Sequence, residues 1–339
     1  MKVLGIETSC DECSAAVVED GEKIISNVIA TQIPFHAPWN GVVPEIASRK
    51  HTEWIYAITK EALDKANMKV EEIDAVAVTN RPGLLGSLLV GLSFAKAFAW
   101  SRNIPFIAVD HMLAHLYAPR LIPSAKCEYP FLGLLVSGGH TIICRADNFD
   151  NITVLGTTID DAVGEAFDKV AKFYNFGYPG GAVIDKMAQN GDSSVFNFPM
   201  PSLHKGDHRY DVSYSGLKNA VINQLDTFKK KSGAHTNEDI AASFQKTAVQ
   251  ILLRALLNAA EDTGITTIVA GGGVAANSYL RSCLAEQKNL RCIFPPQDLC
   301  GDNAAMIAGI GYHYLARGER SPLNITASAR VTGFKKKYP

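Results

Sequence analysis

The order of apolar and polar positions predicts alternating strands and helices. Residues 3–9 form an apolar run ending in small polar residues, residues 15–18 form a second, and the turn Cys10-Asp11-Glu12-Cys13 separates them. This is the pattern of a hairpin with a polar tip. Residues 24–29 predict a third strand. Apolar side chains at 54, 55, 58, 62 and 66 follow a helical period, predicting a helix over about 48–66. A strand at 75–79 leads through Asn80-Arg81-Pro82-Gly83 into residues 84–100, a helix apolar nearly all round and therefore expected to be buried. The strand 106–109 runs into a helix at Asp110-His111-Met112-Leu113-Ala114-His115, with Asp110 as its expected N-cap.

The second half repeats this opening. Residues 131–136 read as a strand, Ser137-Gly138-Gly139-His140 as a tight turn, and 141–144 as a return strand. The echo of residues 3–18 predicts two lobes of related topology. Further helices are expected over 160–174, 240–262, 277–286 and 303–315, and strands over 266–270 and 290–294. Tyr178-Pro179-Gly180-Gly181 reads as a break, and residues 192–216 as irregular. Alternation of this kind indicates an α/β fold with a mostly parallel sheet.

Composition narrows the class. With 339 residues the chain exceeds one ordinary core and suggests two lobes at roughly 150 residues each. A net charge of −1 supplies no bulk field toward nucleic acid or membrane, so any such contact needs a local basic patch. The lysine triplets at 229–231 and 335–337 are candidates for phosphate contacts, with a solvated loop and tail as the alternative. No signal-peptide pattern opens the chain, and its longest uncharged apolar run (83–95) is shorter than a membrane helix of about 20 residues. The seven scattered cysteines then read as reduced thiols in a cytoplasmic protein.

Candidate chemistry sits at strand ends. The turns Ser137-Gly138-Gly139 and Gly271-Gly272-Gly273, with the hairpin tip Thr8-Ser9-Cys10, are places where backbone N–H groups can approach phosphate. No Walker A and no Gly-x-Gly-x-x-Gly in a first βαβ unit is present, which disfavours P-loop and Rossmann enzymes. His111 and His115, four apart on a helix, share one face and can hold one metal ion. A zincin needs Glu directly after the first His, and Met112 stands there. Asp302, where a loop enters a helix, is a candidate third ligand or an ordinary N-cap. Asp161, Glu165 and Asp168 are spaced for one helix face, either a solvated one or one that turns Asp168 to a cleft. Asp11 and Glu12 are candidates for chemistry at the hairpin tip, and Cys10-x-x-Cys13 lacks the second pair of a zinc ribbon.

Ten separated segments together resemble one family. They are Gly5-Ile6-Glu7-Thr8-Ser9-Cys10-Asp11-Glu12, Gly41 to Arg49, Pro82 to Leu88, His111-x-x-x-His115, Leu135-Val136-Ser137-Gly138-Gly139-His140-Thr141, Gly164 to Lys169, Tyr178 to Gly181, Ser213 to Lys218, Gly271 to Asn277, and Asp302-Asn303. They cover about residues 1–325 in order. The resemblance is to the tRNA N6-adenosine threonylcarbamoyltransferases, the TsaD family, once labelled glycoprotein endopeptidases. It implies an actin/hexokinase/Hsp70-type (ASKHA) α/β fold, two-lobed around a nucleotide cleft. The implied lobes are 1–127 with about 304–325, and 128–303, followed by a basic tail at 326–339.

The resemblance implies transfer of threonylcarbamoyl from threonylcarbamoyl-AMP to N6 of the adenosine 3′ of the anticodon (position 37), in tRNAs reading codons that begin with adenine. AMP leaves. By position, His111, His115 and Asp302 match metal ligands, with Fe2+ the expected ion and Zn2+ the alternative. Leu135, Val136, Ser137, Gly138 and Gly139 match the segment around the donor, and Asp168, Gly181 and Asn277 its nucleotide contacts, with Asp185 beside them. Glu12 or Asp11 is the candidate acceptor of the amine proton. Implied partners are tRNA, a paralogous TsaB-like protein and a TsaE-like ATPase, with no membrane. The sequence departs from the family at Asp110, Leu113, Arg81 and Cys13, none of them a proposed ligand. The rival readings are a metal-dependent endopeptidase, a small-molecule kinase on the same fold, and an inactive scaffold.

Overall fold

The echo between the halves is realised strand for strand. In the computed structural model, which describes residues 1–203, 206–224 and 235–330, Met1–Cys127 and the described residues from Pro295 onward form one compact unit. Glu128–Phe294 forms the other. The lysine triplets at 229–231 and 335–337 lie outside the described residues.

The first unit holds β1 (Lys2–Glu7), β2 (Glu12–Glu19), β3 (Lys23–Thr31), β4 (Ala75–Arg81) and β5 (Phe106–Asp110) in the order β3-β2-β1-β4-β5. The hairpin strands pair antiparallel, whereas β1–β4 and β4–β5 pair parallel. The second unit holds β6 (Phe131–Val136), β7 (Thr141–Ala146), β8 (Ile152–Thr157), β9 (Thr267–Gly271) and β10 (Arg291–Ile293) in the order β10-β9-β6-β7-β8. Its pairing senses are the same. Each sheet is thus a hairpin-led meander continued by parallel strands.

Alternation along β1 explains the layers. Leu4 and Ile6 join one buried cluster with Ile55, Ala62 and Leu63 of α2 (Pro44–Lys65) and Leu92, Ala95 and Ala99 of α3 (Leu85–Arg102). A short α1 (Ile33–His36) precedes α2. Gly5 points the other way, toward the last helix. A Cβ there would sit 2.2 Å from the Ala304 carbonyl oxygen and 2.9 Å from Ala308, so only glycine admits this helix to the sheet.

Several elements differ from the sequence pattern. The α3 helix is apolar all round yet not buried: Leu88, Leu92, Ala95 and Ala99 face the core, while Leu85, Leu89 and Trp100 are 50%, 46% and 74% exposed. Apolar periodicity reports what a face can bury, not whether a layer covers it. β8 carried too little pattern to be read. The break at Tyr178-Pro179-Gly180-Gly181 instead starts α6 (Gly180–Ala188), because the Asp168 carboxylate accepts from the Gly180 amide at 2.8 Å. The helix expected over 160–174 is α5 (Val163–Tyr174), preceded by two aspartates that are used elsewhere. Asp160 accepts from the Tyr214 and Ser215 amides and the Ser213 hydroxyl, at the start of α7 (Ser215–Asn223). Asp161 binds Lys169 and Lys218 at 2.7 Å each. Asp161 therefore precedes the helix, joined to Glu165 through Lys169, while Glu165 and Asp168 stand three apart on it.

The return to the first unit comes at Pro295, earlier than the expected boundary near 304. Asn303 Nδ2 donates to Leu299 O at 3.3 Å and Gly301 O at 3.0 Å, and Asp302 Oδ1 lies 3.1 Å from His115 Nε2, which joins this stretch to the first unit. α10 (Gln297–Cys300) and α11 (Ala304–Ala316) flank Asn303, whose Oδ1 caps α11 at the Met306 amide. The Ala304 amide donates to Ser14 Oγ at 2.9 Å. Residues 326–330 also belong here rather than to a tail: Ser328 N donates to Asn80 O at 2.9 Å.

Candidate metal centre

Strand β5 delivers the site. It ends at Asp110, which caps α4 (His111–Tyr117) by accepting from the Met112 amide at 3.0 Å. Arg81, at the end of β4, donates Nε to the other carboxylate oxygen at 3.1 Å, so this departure from the family pattern ties the neighbouring strand to the same cap. The first turn of α4 is thereby fixed, and His111 and His115 project from one face.

Asp302 meets them. Its expected alternative, an N-cap, is taken by Asn303, which leaves the Asp302 carboxylate for the histidines. His115 Nε2 lies 3.1 Å from Asp302 Oδ1 and 3.1 Å from His111 Nε2, and His111 Nε2 lies 3.3 Å from Asp302 Oδ1. Three atoms held about 2.1 Å from one ion stand about 3.0 Å apart at right angles and about 3.4 Å apart at tetrahedral angles. The observed triangle falls inside that interval, so the residues present fit a metal. The imidazoles are buried, and His115 Nδ1 has no hydrogen-bond partner, which leaves Nε2 as the atom this side chain commits. Two imidazoles and one carboxylate leave coordination positions open, the pattern of non-haem iron sites.

Sequence reasoning passed over the residue behind the triangle. Glu7, fully buried at the end of β1, receives His111 Nδ1 at 3.0 Å and is also bonded by Thr79 Oγ1 and the Ser9 amide. A carboxylate on the far nitrogen of a ligand histidine fixes its tautomer and raises its basicity. The available signal was a charge at the end of an otherwise buried apolar strand. Burial disfavours a charged His111, but Asp302 and Glu7 outweigh it and hold the imidazole well above its usual range. Burial and the neighbouring His111 push His115 down. Burial alone would raise Asp302 and Glu7; His111 reverses this and lowers both. Glu7→Gln is expected to weaken metal binding about 10- to 100-fold with the fold intact. Competition with a chromogenic chelator measures it, and wild-type affinity in the variant would refute the coupling.

The hairpin tip is held from three elements. Ser9 O accepts from the Leu84 amide at 2.8 Å, Cys10 O from His51 Nε2 at 2.9 Å, and Asp11 O from the Gln32 amide at 3.0 Å. The tip carries the candidate base. Burial first, then the charges of Asp302 and Asp11, push the Glu12 carboxyl up to about 9. In the metal-free protein it therefore carries a proton at neutral pH. The unfolded carboxyl releases its proton near 4.5. Stability linked to this proton is complete below that value and is lost as pH rises through about 9. Glu12→Gln should flatten the fall in melting temperature of the metal-free protein between about pH 5 and about pH 9. Scanning calorimetry reads it; an unchanged slope would refute the shift.

In the second unit Leu135 and Val136 are fully buried in β6, and only Ser137, Gly138 and Gly139 reach the surface. Ser137 closes the turn through its amide to His140 O at 2.8 Å and by accepting from the His140 amide at 3.1 Å. A Cβ on Gly138, Gly139 or Gly181 would meet nothing within 4 Å. These glycines keep backbone open rather than relieve packing. Gly272, at φ +90°, does relieve it: a Cβ there would sit 2.4 Å from Val136 O. Asp168 spends one oxygen on α6. Asp185 accepts from Ser278 Oγ at 2.8 Å and the Ser278 amide at 3.0 Å, at the start of α9 (Ser278–Ala285). Asn277 caps the same helix at the Leu280 amide, 2.9 Å away.

Comparison with known proteins matches this picture. A model of the family described as TsaD, tRNA N6-adenosine threonylcarbamoyltransferase, matches residues 23–309. A protein of that name from Treponema denticola is 68% identical over 337 residues, 99% of each chain. Another from Borreliella burgdorferi (strain ZS7) is 53% identical over 339 residues, 100% of this chain and 96% of that one. Among solved structures, component A of the Acidaminococcus fermentans (R)-2-hydroxyglutaryl-CoA dehydratase aligns at TM-score 0.56 and 16% identity, over 93% of this chain and 99% of that one. HypF from T. kodakarensis aligns at TM-score 0.62 and 13% identity, over 93% and 48%. These two share the fold alone, of the ASKHA type. A family model spanning most of the residues, and relatives identical at more than half of all positions, lead to one conclusion: the chain belongs to the TsaD family of tRNA N6-adenosine threonylcarbamoyltransferases.

Proposed function

We propose that this chain transfers threonylcarbamoyl from threonylcarbamoyl-AMP to N6 of adenosine 37 in tRNAs reading codons that begin with adenine, releasing AMP. The observation that carries the reading is the buried His111–His115–Asp302 triangle backed by Glu7, in a chain of this family. The three residues would hold a divalent ion; two imidazoles and one carboxylate suit Fe2+, the ion the family resemblance implies, and also Zn2+. Bound there, the ion would supply Lewis acidity toward carbonyl or phosphate oxygens of the donor. Glu7 orients His111. Asp302 is free of capping duty. The base at the amine is Glu12 or Asp11; burial first, then the Asp302 and Asp11 charges, keep Glu12 protonated, and a cation held by Asp302 would offset one of those charges.

Donor binding falls to the open turn Ser137-Gly138-Gly139, following Leu135 and Val136, and to Asp168, Gly181, Asp185 and Asn277. Acceptor-only carboxylates suit ribose hydroxyls, and open backbone N–H groups suit phosphate. Action on tRNA implies a cytoplasmic enzyme; among the described residues no helix is long and apolar enough to cross a membrane. The exposed Leu85, Leu89 and Trp100 of α3 support docking of a protein partner, a TsaB-like paralogue, with a TsaE-like ATPase as the second. An endopeptidase reading lacks the glutamate that should follow His111, since Met112 is fully buried there.

The test combines the protein and its partner proteins with unmodified tRNA, threonine, bicarbonate, ATP and the donor-making enzyme. Mass spectrometry of the nucleosides should show threonylcarbamoyladenosine. Cleavage of a glycoprotein substrate with no modified nucleoside would overturn the reading.

A further inference from the structure

One buried amide in the second unit holds two of the proposed donor contacts at once. Gln245 lies on α8 (Asn237–Thr263) and is 3% exposed. Its Nε2 donates to Asp185 Oδ1 at 3.1 Å, and its Oε1 accepts from Asn277 Nδ2 at 3.2 Å. The orientations follow from chemistry. An ionised carboxylate only accepts, so Gln245 must turn its NH2 toward Asp185. Its oxygen is then left for Asn277, which must present Nδ2. Asn277 Oδ1 is thereby turned to the Leu280 amide as the cap of α9. The charge of Asp185 thus sets the direction of the Asn277 amide through Gln245.

Nothing in the helix itself calls for a glutamine here. Its neighbours Phe244, Ala241 and Ala248 are core residues, and a buried amide is costly unless both ends are paired. We propose that Gln245 is a positioning residue of the donor subsite, aligning Asp185 of α6 with Asn277 at the entry of α9. The proposal rests on the transferase reading above and deepens it: the Asp185–Gln245–Asn277 relay governs how well the donor's nucleotide is held.

The test measures steady-state transfer to tRNA with threonylcarbamoyl-AMP as the varied substrate, for wild type, Gln245→Met and Gln245→Glu. Both variants should raise KM for the donor about tenfold or more while kcat stays within about threefold, since binding is lost rather than chemistry. Metal content should match wild type, because the ligands lie in the other unit. In Gln245→Glu, KM should also climb with pH more steeply than in wild type, as the new carboxylate ionises against Asp185. That profile decides the matter if Gln245→Met fails to fold. Unchanged KM, or a Gln245→Glu pH profile like that of wild type, would overturn the role of Gln245. Absence of modified nucleoside with wild-type protein would overturn the transferase reading itself.

Discussion

Asp302→Ala is expected to lower tRNA modification by about 10³-fold or more and to strip the metal, while the melting curve stays cooperative. The Asp302 carboxylate is the only anionic corner of the triangle, and its Oδ1 stands 3.1 and 3.3 Å from the two imidazoles. Without it two neutral nitrogens remain, too few to retain a divalent ion against water. Polarisation by a bound ion supplies several kcal/mol of transition-state stabilisation, and each 1.4 kcal/mol is about tenfold in rate. The fold should survive because Asn303, not Asp302, caps α11. Elemental analysis and nucleoside mass spectrometry give the two readouts. Full metal content with a rate within tenfold of wild type would remove the metal from the reading. Proton release is a further signature. Asp302 and Glu7 hold a proton on His111 in the metal-free protein, so an incoming ion must displace it. Affinity should therefore rise with pH, and titration calorimetry in buffers of different ionisation enthalpy should record the released proton.

A large stability effect is expected at Gly5, where alanine should cost about 3 kcal/mol, or about 6–12 °C in melting temperature. The added Cβ would lie 2.2 Å from Ala304 O and 2.9 Å from Ala308 N, and no flexible side-chain tip is there to move aside. Helix α11 must shift away from β1. Ala304 follows directly on Asp302 and Asn303, so the displacement also moves the proposed third ligand, and metal affinity should drop with stability. Gly216→Ala is the control: it is helical, its Cβ meets nothing within 4 Å, and it should hold or raise the melting temperature. Equal melting curves for Gly5→Ala and wild type would show that the helix adapts without strain.

Sequence alone determined the elements whose signal is local. The hairpin echo, the strand before His111, the Asp110 cap and the shared face of His111 and His115 follow from period and capping chemistry, and all are present. The family resemblance was legible for the same reason, since its motifs are short runs. What only tertiary structure decided depends on contacts far apart in the chain. Asn303, not Asp302, caps α11, and the Asp302 carboxylate lies against both imidazoles. Glu7 joins the centre because β1 and β5 flank β4, which brings residues 104 positions apart within 3.0 Å. Gln245 gave no signal, because an isolated buried amide on a long amphipathic helix has no period of its own. The exposed face of α3 and the helix that begins at Gly180 depart from the sequence pattern for one reason. Apolarity and Pro-Gly chemistry describe what a segment tolerates, while the partners packed against it determine which tolerated state is adopted.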